Sequence, residues 1–192
     1  MDVLSAIKNR RSFYTAQMSG EIVEDSIVWE LLNCANWAPN HYHTEPWRFR
    51  VFAGKGLENL LDNLAELYKK TSGENFSEAK YDKYATRKKQ LSHAIAIVLH
   101  KSDKPGLPAV EEREAVACAV QNLWLATTKF DGVGGYWSTG NLVYLPEFAQ
   151  FLNLESNQEC LGIFYLGMIK ADGVAPQSSR GDIKEKVIWT NE

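Results

Sequence analysis

Several features are scarce in this sequence, and each shortage closes off a class of function. Neither sign of charge is in large excess: 21 Lys and Arg against 24 Asp and Glu leave a net charge of −3. There is no general electrostatic reason to bind nucleic acid or an anionic membrane, so any anion site must be local. No apolar run approaches the roughly 20 residues needed to span a bilayer. No apolar stretch precedes the basic residues Lys8, Arg10 and Arg11, so no signal peptide is expected and the chain reads as cytoplasmic. Cys34, Cys118 and Cys160 are odd in number and widely spaced. They make neither a disulfide framework nor a zinc pattern, and read as reduced, mostly buried thiols. No internal repeat, low-complexity segment or domain boundary is visible, and 192 residues with 45% apolar content suit a single domain, 1–192, with a real core.

Missing chemistry narrows the field further. Gly132, Gly134 and Gly135 follow a helical pattern, whereas a dinucleotide fingerprint follows a strand and opens a helix, and no Gly-Lys-Ser/Thr closes a Walker loop. Ser12, Ser138 and Ser179 lack a nucleophile-elbow context. What remains is a set of polar loops suited to hold a planar, phosphorylated cofactor, which would carry the hard chemistry itself.

The periodicities predict a mixed α/β layer fold. Residues 3–11 read as a short helix with Val3, Leu4 and Ile7 on one face. A second helix opens at Glu24-Asp25-Ser26, where acids suit the positive end of the dipole, and stops at Pro39. Residues 47–52 alternate as a strand, and 57–70 form an amphipathic helix. The charged stretch 71–89 reads as exposed helix and loop, a candidate flap. Residues 94–100 and 160–169 are continuous apolar runs of buried-strand type. Between them lies the strongest helix, 111–129, with Val116, Val120, Leu123 and Thr127 in one stripe. A glycine-rich turn, 131–135, ends it. A short helix is expected at 146–152 and an irregular tail at 171–192.

Four constellations carry possible chemistry. Arg10-Arg11-Ser12 could grip phosphate through guanidinium forks and a hydroxyl, or could be a cationic helix end that the macrodipole favours. The loop His41–Glu45 could be a structural connection, a ligand-binding loop, or a metal site using His41, His43 and Glu45. The glycines at 132–135 would let a ligand approach the main chain. Arg180 stands in the tail, of interest only if the tail packs at a site.

Taken in order, these stretches resemble the FMN-dependent nitroreductase family, most nearly its short bacterial NAD(P)H nitroreductase type. Asn9-Arg10-Arg11-Ser12 resembles the family's N-terminal Arg-Arg-Ser. Ala38-Pro39-Asn40-His41 and Pro46-Trp47-Arg48-Phe49 resemble its Ala-Pro and Pro-Trp segments. Residues 114–123 resemble its long central helix, and Leu161 to Gly167 its late strand. The resemblance implies an α+β fold: a nitroreductase-like, mostly antiparallel central sheet flanked by helices, with the long helix at the core of a homodimer. It implies two FMN sites at that interface. Arg10, Arg11 and Ser12 would contact phosphate and ribityl. His41 and Glu45 would contact FMN from the other subunit. Gly134, Gly135, Trp137, Ser138, Thr139 and Gly140 would lie along the isoalloxazine, and Arg180 would sit at the phosphate.

The implied activity is ping-pong: NADH or NADPH gives a hydride to flavin N5, then a nitroaromatic, quinone or other electron-poor small molecule takes its place. No protein acid or base is required. A dimer that binds flavin or another ligand without turnover is the alternative. Two departures from the family bear on it. Tyr14 stands where many relatives have a cation near flavin N1 and O2, and Glu45 replaces the usual Gln or Asn. Both changes make reduced, anionic flavin less favourable, which predicts a lower potential or looser FMN binding, unless Glu45 is protonated or paired with an arginine.

Overall fold

The computed structural model describes residues 2–191; Met1 and Glu192, the latter the end of the expected tail, lie outside the described residues. The helices are α1 (Val3–Asn9), α2 (Asp25–Asn36), α3 (Gly54–Ser72), α4 (Glu78–Lys88), α5 (Ala109–Ala126) and α6 (Pro146–Phe151). The strands are β1 (Trp47–Ala53), β2 (His93–His100), β3 (Val133–Ser138) and β4 (Gln158–Met168). The four strands form one antiparallel sheet in the order β1-β2-β4-β3. The central pair, β2 and β4, are the two apolar runs of the sequence. Both are buried almost end to end, because helices cover both faces of the sheet.

One face packs on α2 and α5. Leu31 and Ala35 of α2 meet Val116, Val120 and Leu123 of α5 over Ile95, Ile97 and Phe164. The other face packs on α3 and α6, through Leu57, Leu60, Leu61 and Leu64 with Phe148. Two polar links anchor α2 to the sheet. The Val23 N–H donates to Ser92 Oγ at 2.8 Å, and His93 Nε2 lies 3.2 Å from Asp25.

Two expectations need correction. The glycine-rich turn is confined to Asp131-Gly132, with Gly132 at φ of 73°; Val133-Gly134-Gly135 is already the first half of β3, paired with Met168, Gly167 and Leu166. The reason is packing. A Cβ at Gly135 would stand 2.5 Å from the Tyr165 carbonyl oxygen and 2.6 Å from the Phe164 ring, and one at Gly134 would stand 2.9 Å from Ile169 and Phe13. The glycines carry no apolar side chains, so they erased the alternation by which a strand is read. The thiols are also less buried than expected: Cys160 is buried, Cys34 half-buried and Cys118 exposed. The charged stretch after α3 contains a regular helix, α4, packed on α3.

Candidate functional site

The segment after α1 runs along the free edge of β3. The Phe13 N–H donates to the Gly135 carbonyl at 3.2 Å, and Trp124 Nε1 donates to the Arg11 carbonyl at 3.2 Å. Arg10 is thereby laid over α5. Its guanidinium stacks on the Trp124 ring, 4.0 Å from the centroid, and its Nη1 is buried with no hydrogen-bond partner. Burial, then the charges of Arg180 and Arg11, push the Arg10 pKa below its ordinary value. A buried guanidinium nitrogen without an acceptor, beside two further arginines, is chemistry that fits an anion.

The tail is what brings Arg180 there. Arg11 Nε donates to the Pro176 carbonyl at 3.0 Å, and Gln17 Nε2 to the Val174 carbonyl at 3.1 Å. These bonds lay residues 174–180 beside the N-terminal strip. Arg11 is thus mostly a tie: its Nη1 also donates to the Lys8 carbonyl at 2.6 Å. Ser12 lies between the two arginines and β3, half-buried.

Beyond Ser12 the strip enters a cavity of about 300 Å³ lined by Tyr14, Lys83, Thr86, Arg87, Gln90 and Tyr136. The rings of Tyr14 and Tyr136 are 5.1 Å apart. The Arg87 guanidinium stands 5.0 Å over Tyr84 and 5.7 Å from the Tyr165 ring. Neither Arg87 nor Lys83 pairs with a carboxylate among the described residues. Burial raises the Tyr136 pKa, so its hydroxyl stays a donor at neutral pH. Sequence reasoning missed Arg87, Lys83, Trp124 and Tyr136. The available signal was Tyr84 and Arg87 three apart on one helical face, lost within a stretch read only as charged.

Trp137 is committed to the fold, its Nε1 donating to the Leu161 carbonyl at 3.1 Å. Gly134 and Gly135 are buried against side chains, whereas Ser138, Thr139 and Gly140 emerge at the end of β3 with increasing exposure. They are the part of this segment a ligand can approach.

His41 and Glu45 lie elsewhere. His41 Nδ1 is 2.5 Å from Glu111 Oε2, in the first turn of α5. Trp124, under Arg10, is thirteen residues further along the same helix, about 20 Å by helical rise. A single chain therefore does not bring Arg10 and His41 to one small ligand. The loop is strained: Tyr42, His43 and Glu45 have φ of 54°, 51° and 44°. Glu45 is not paired with an arginine; Arg48 Nη1 donates to its main-chain carbonyl at 2.8 Å. Among the described residues no cluster of three His, Cys, Asp or Glu could hold a metal ion, and His41 is engaged by a carboxylate from α5.

A four-stranded antiparallel sheet, a long helix across one face and a basic cradle at the free sheet edge define an α+β ligand-binding scaffold. Comparison with known proteins makes this specific. The chain belongs to the Nitroreductase family, whose model matches residues 7–168. It is 28% identical over 162 residues to a Bacillus subtilis protein named "Putative NAD(P)H nitroreductase YfhC", which spans 84% of this chain and 81% of that one. It is 25% identical over 167 residues to the Escherichia coli K12 "Putative NAD(P)H nitroreductase YdjA", spanning 87% and 88%. Among solved structures, a nitroreductase-like family protein from Bacillus cereus superposes with a TM-score of 0.83 at 27% identity, covering 100% of this chain and 97% of that one. A Desulfovibrio desulfuricans protein solved in complex with FMN shares the fold, with a TM-score of 0.74 at 22% identity over 100% and 98% of the chains. The nitroreductase-like α+β fold that the family resemblance implied is therefore the observed one. No helix among the described residues is long and apolar enough to cross a membrane.

Proposed function

We propose that this protein is an FMN-dependent oxidoreductase that uses NADH or NADPH to reduce nitroaromatic, quinone or similar electron-poor small molecules, working as a homodimer. The observation that carries the reading is the Arg10 cradle: a buried, unpartnered guanidinium nitrogen stacked on Trp124, with Arg180 brought alongside by the tail. Such a nitrogen fits a phosphate oxygen, and Ser12 adds a hydroxyl.

FMN, when bound, would supply the two-electron hydride chemistry between the nicotinamide and the acceptor. The chain's own residues bind and orient. Arg10, Arg180 and Ser12 hold the phosphate end, and Arg11 fixes the tail that carries Arg180. Main-chain groups from Trp137 to Gly140 line the ring, with Gly134 and Gly135 setting how closely the N-terminal strip approaches β3. Arg87 shares a cavity with Tyr14, so a cation reaches that end of the site from α4 although position 14 has none. This offsets one of the two departures seen in the sequence and leaves Glu45 as the residue that opposes anionic reduced flavin.

The separation of His41 from Arg10 along α5 supports the homodimer: His41 and Glu45 would complete the site of a second copy. Exposed apolar side chains agree, among them Trp37 at 87% and Trp29 at 67% exposure. The test is a redox titration of the wild type beside Glu45→Gln and Arg87→Gln. Removing the carboxylate raises the flavin potential and removing the cation lowers it. An unmoved potential in both variants overturns these assignments.

A further inference from the structure

A second basic cavity, of about 340 Å³, lies behind the strained loop, and no step above uses it. His43, Arg48, His100, Lys101 and Lys104 line it, with Asp103 as the one carboxylate among its lining residues. On a chain with a net charge of −3, so many bases around one hollow make a local positive field, not an average surface. Two of the cations are fixed by carbonyl groups instead of acids. Arg48 Nη1 donates to the Glu45 and Trp47 carbonyls, both at 2.8 Å. Lys104 Nζ donates to the Tyr42 carbonyl at 2.8 Å and stands 5.6 Å from that ring. Carbonyl acceptors orient a cation without cancelling its charge. Lys101 is only 3.5 Å from Glu159, whose carboxylate is taken more closely by Arg113 at 2.7 Å.

The same contacts hold the loop. Three non-glycine residues in the left-handed region are costly, of order 1–3 kcal/mol each. Lys104 and Arg48 grip the carbonyls on either side of that strain. The strained backbone thus lines the same cavity as His100, the last residue of β2, and Lys101 after it. Strain concentrated in a ligand clamp is the ordinary reason for its persistence.

We propose that this cavity binds a phosphate group of the nucleotide reductant. The inference rests on the function proposed above: His41 and Glu45 of this loop reach the flavin of the second copy, so a nicotinamide stacked there would lead its ribose and phosphates over residues 43–48. Lys101 and Lys104 keep further ammonium hydrogens beside their bonds to Glu159 and the Tyr42 carbonyl, Arg48 offers a guanidinium edge and His43 its ring, while the His100 ring nitrogens already face Asn157 and Gln158 at 3.4 and 3.1 Å. The cations match phosphate oxygens, and Thr44, Ser102 and Asn157 of the same lining add neutral polar groups.

The test uses the FMN-loaded protein and the variants Lys101→Gln and Lys101→Glu, since Lys101, unlike Arg48 and Lys104, does not hold the loop. Two readouts are taken: the imidazole C–H resonances of His43 and His100 during titration with inorganic pyrophosphate and, separately, with ADP; and the KM and kcat for the reductant. The proposal expects both ligands to shift both histidines and Lys101→Glu to weaken the response. It expects KM for the reductant to rise about tenfold in Lys101→Glu, the effect of one charged hydrogen bond, with kcat nearly unchanged. Resonances that do not move overturn the site. Resonances that move with pyrophosphate while KM stays constant overturn the assignment to the reductant and leave a free-anion site. If neither NADH nor NADPH reduces the flavin, the failure belongs to the proposed function, while the pyrophosphate titration still reads on the cavity.

Discussion

A buried guanidinium nitrogen normally has a partner, and Arg10 Nη1 has only the face of Trp124 and two other arginines near it. Loss of its side chain should therefore cost binding more than folding. Arg10→Gln is expected to weaken FMN binding about 10- to 100-fold, the value of a charge-assisted hydrogen bond, measured by quenching of flavin fluorescence. The melting temperature of the flavin-free protein should change little, because the lost stacking is offset by removal of one buried, unpartnered nitrogen and of the repulsion from Arg180 and Arg11. Cys160 makes a different prediction. Burial pushes its thiol up from 9.0 to about 11. Its neutral form is favoured in the folded state, so its contribution to stability is full below the ordinary value and is lost as pH rises from about 9 toward 11. Cys160→Ala should flatten the stability curve across that window, as read by denaturant melts. Alkylation at pH 8 should spare Cys160 until the protein unfolds, which peptide mass spectrometry checks. At this scale the sequence was a partial guide. The pair Arg10-Arg11 was legible as cationic, but only the fold separates Arg10, which faces the site, from Arg11, which ties down the tail. Arg87 left only the trace of its spacing from Tyr84, since its place beside Tyr14 and Tyr136 comes from residues distant in the chain.

Among the elements, α2, α3 and α5 were read well because the burial of each repeats along a single face. The stripe Val116, Val120, Leu123 and Thr127 is buried as expected, and α5 extends only two residues before the expected start. Strand β3 was lost because its early residues are glycines chosen by neighbours: the close approach of Phe13 and Phe164 is a tertiary fact with no local signature. The same constraint is sharper at Gly162, which sits at the β2–β4 register shift with φ of +133°, where a Cβ would stand 2.4 Å from Trp137 Nε1. Gly162→Ala should destabilise the protein by about 2–4 kcal/mol, from backbone strain and overpacking together. Gly56→Ala is the matched control. It lies inside α3 with nothing within 4 Å of a new Cβ, and should stabilise by about 0.5–1 kcal/mol. Chemical denaturation followed by tryptophan fluorescence measures both, and equal effects at the two positions would contradict the packing account.

The whole molecule is where a single chain falls short. Arg10 and His41 lie near opposite ends of α5, and the site proposed for FMN draws on both. The resemblance in the sequence implied shared sites; the distance along α5 is the independent physical reason to expect them. Mixing two inactive chains reads this directly. Arg10→Glu paired with a chain altered in the loop, His41→Ala, forms mixed dimers with one intact and one doubly altered site. They should bind one FMN per two chains, where each variant alone binds little. The account as a whole is tested most directly by anaerobic addition of NADH or NADPH to the purified protein, followed by its flavin absorbance. A yellow protein that bleaches with one or both nucleotides and recovers on adding a quinone is the predicted result. A yellow protein that neither nucleotide bleaches would be a flavin-binding dimer without turnover, and a colourless one that takes up no FMN would contradict the cradle at Arg10 itself.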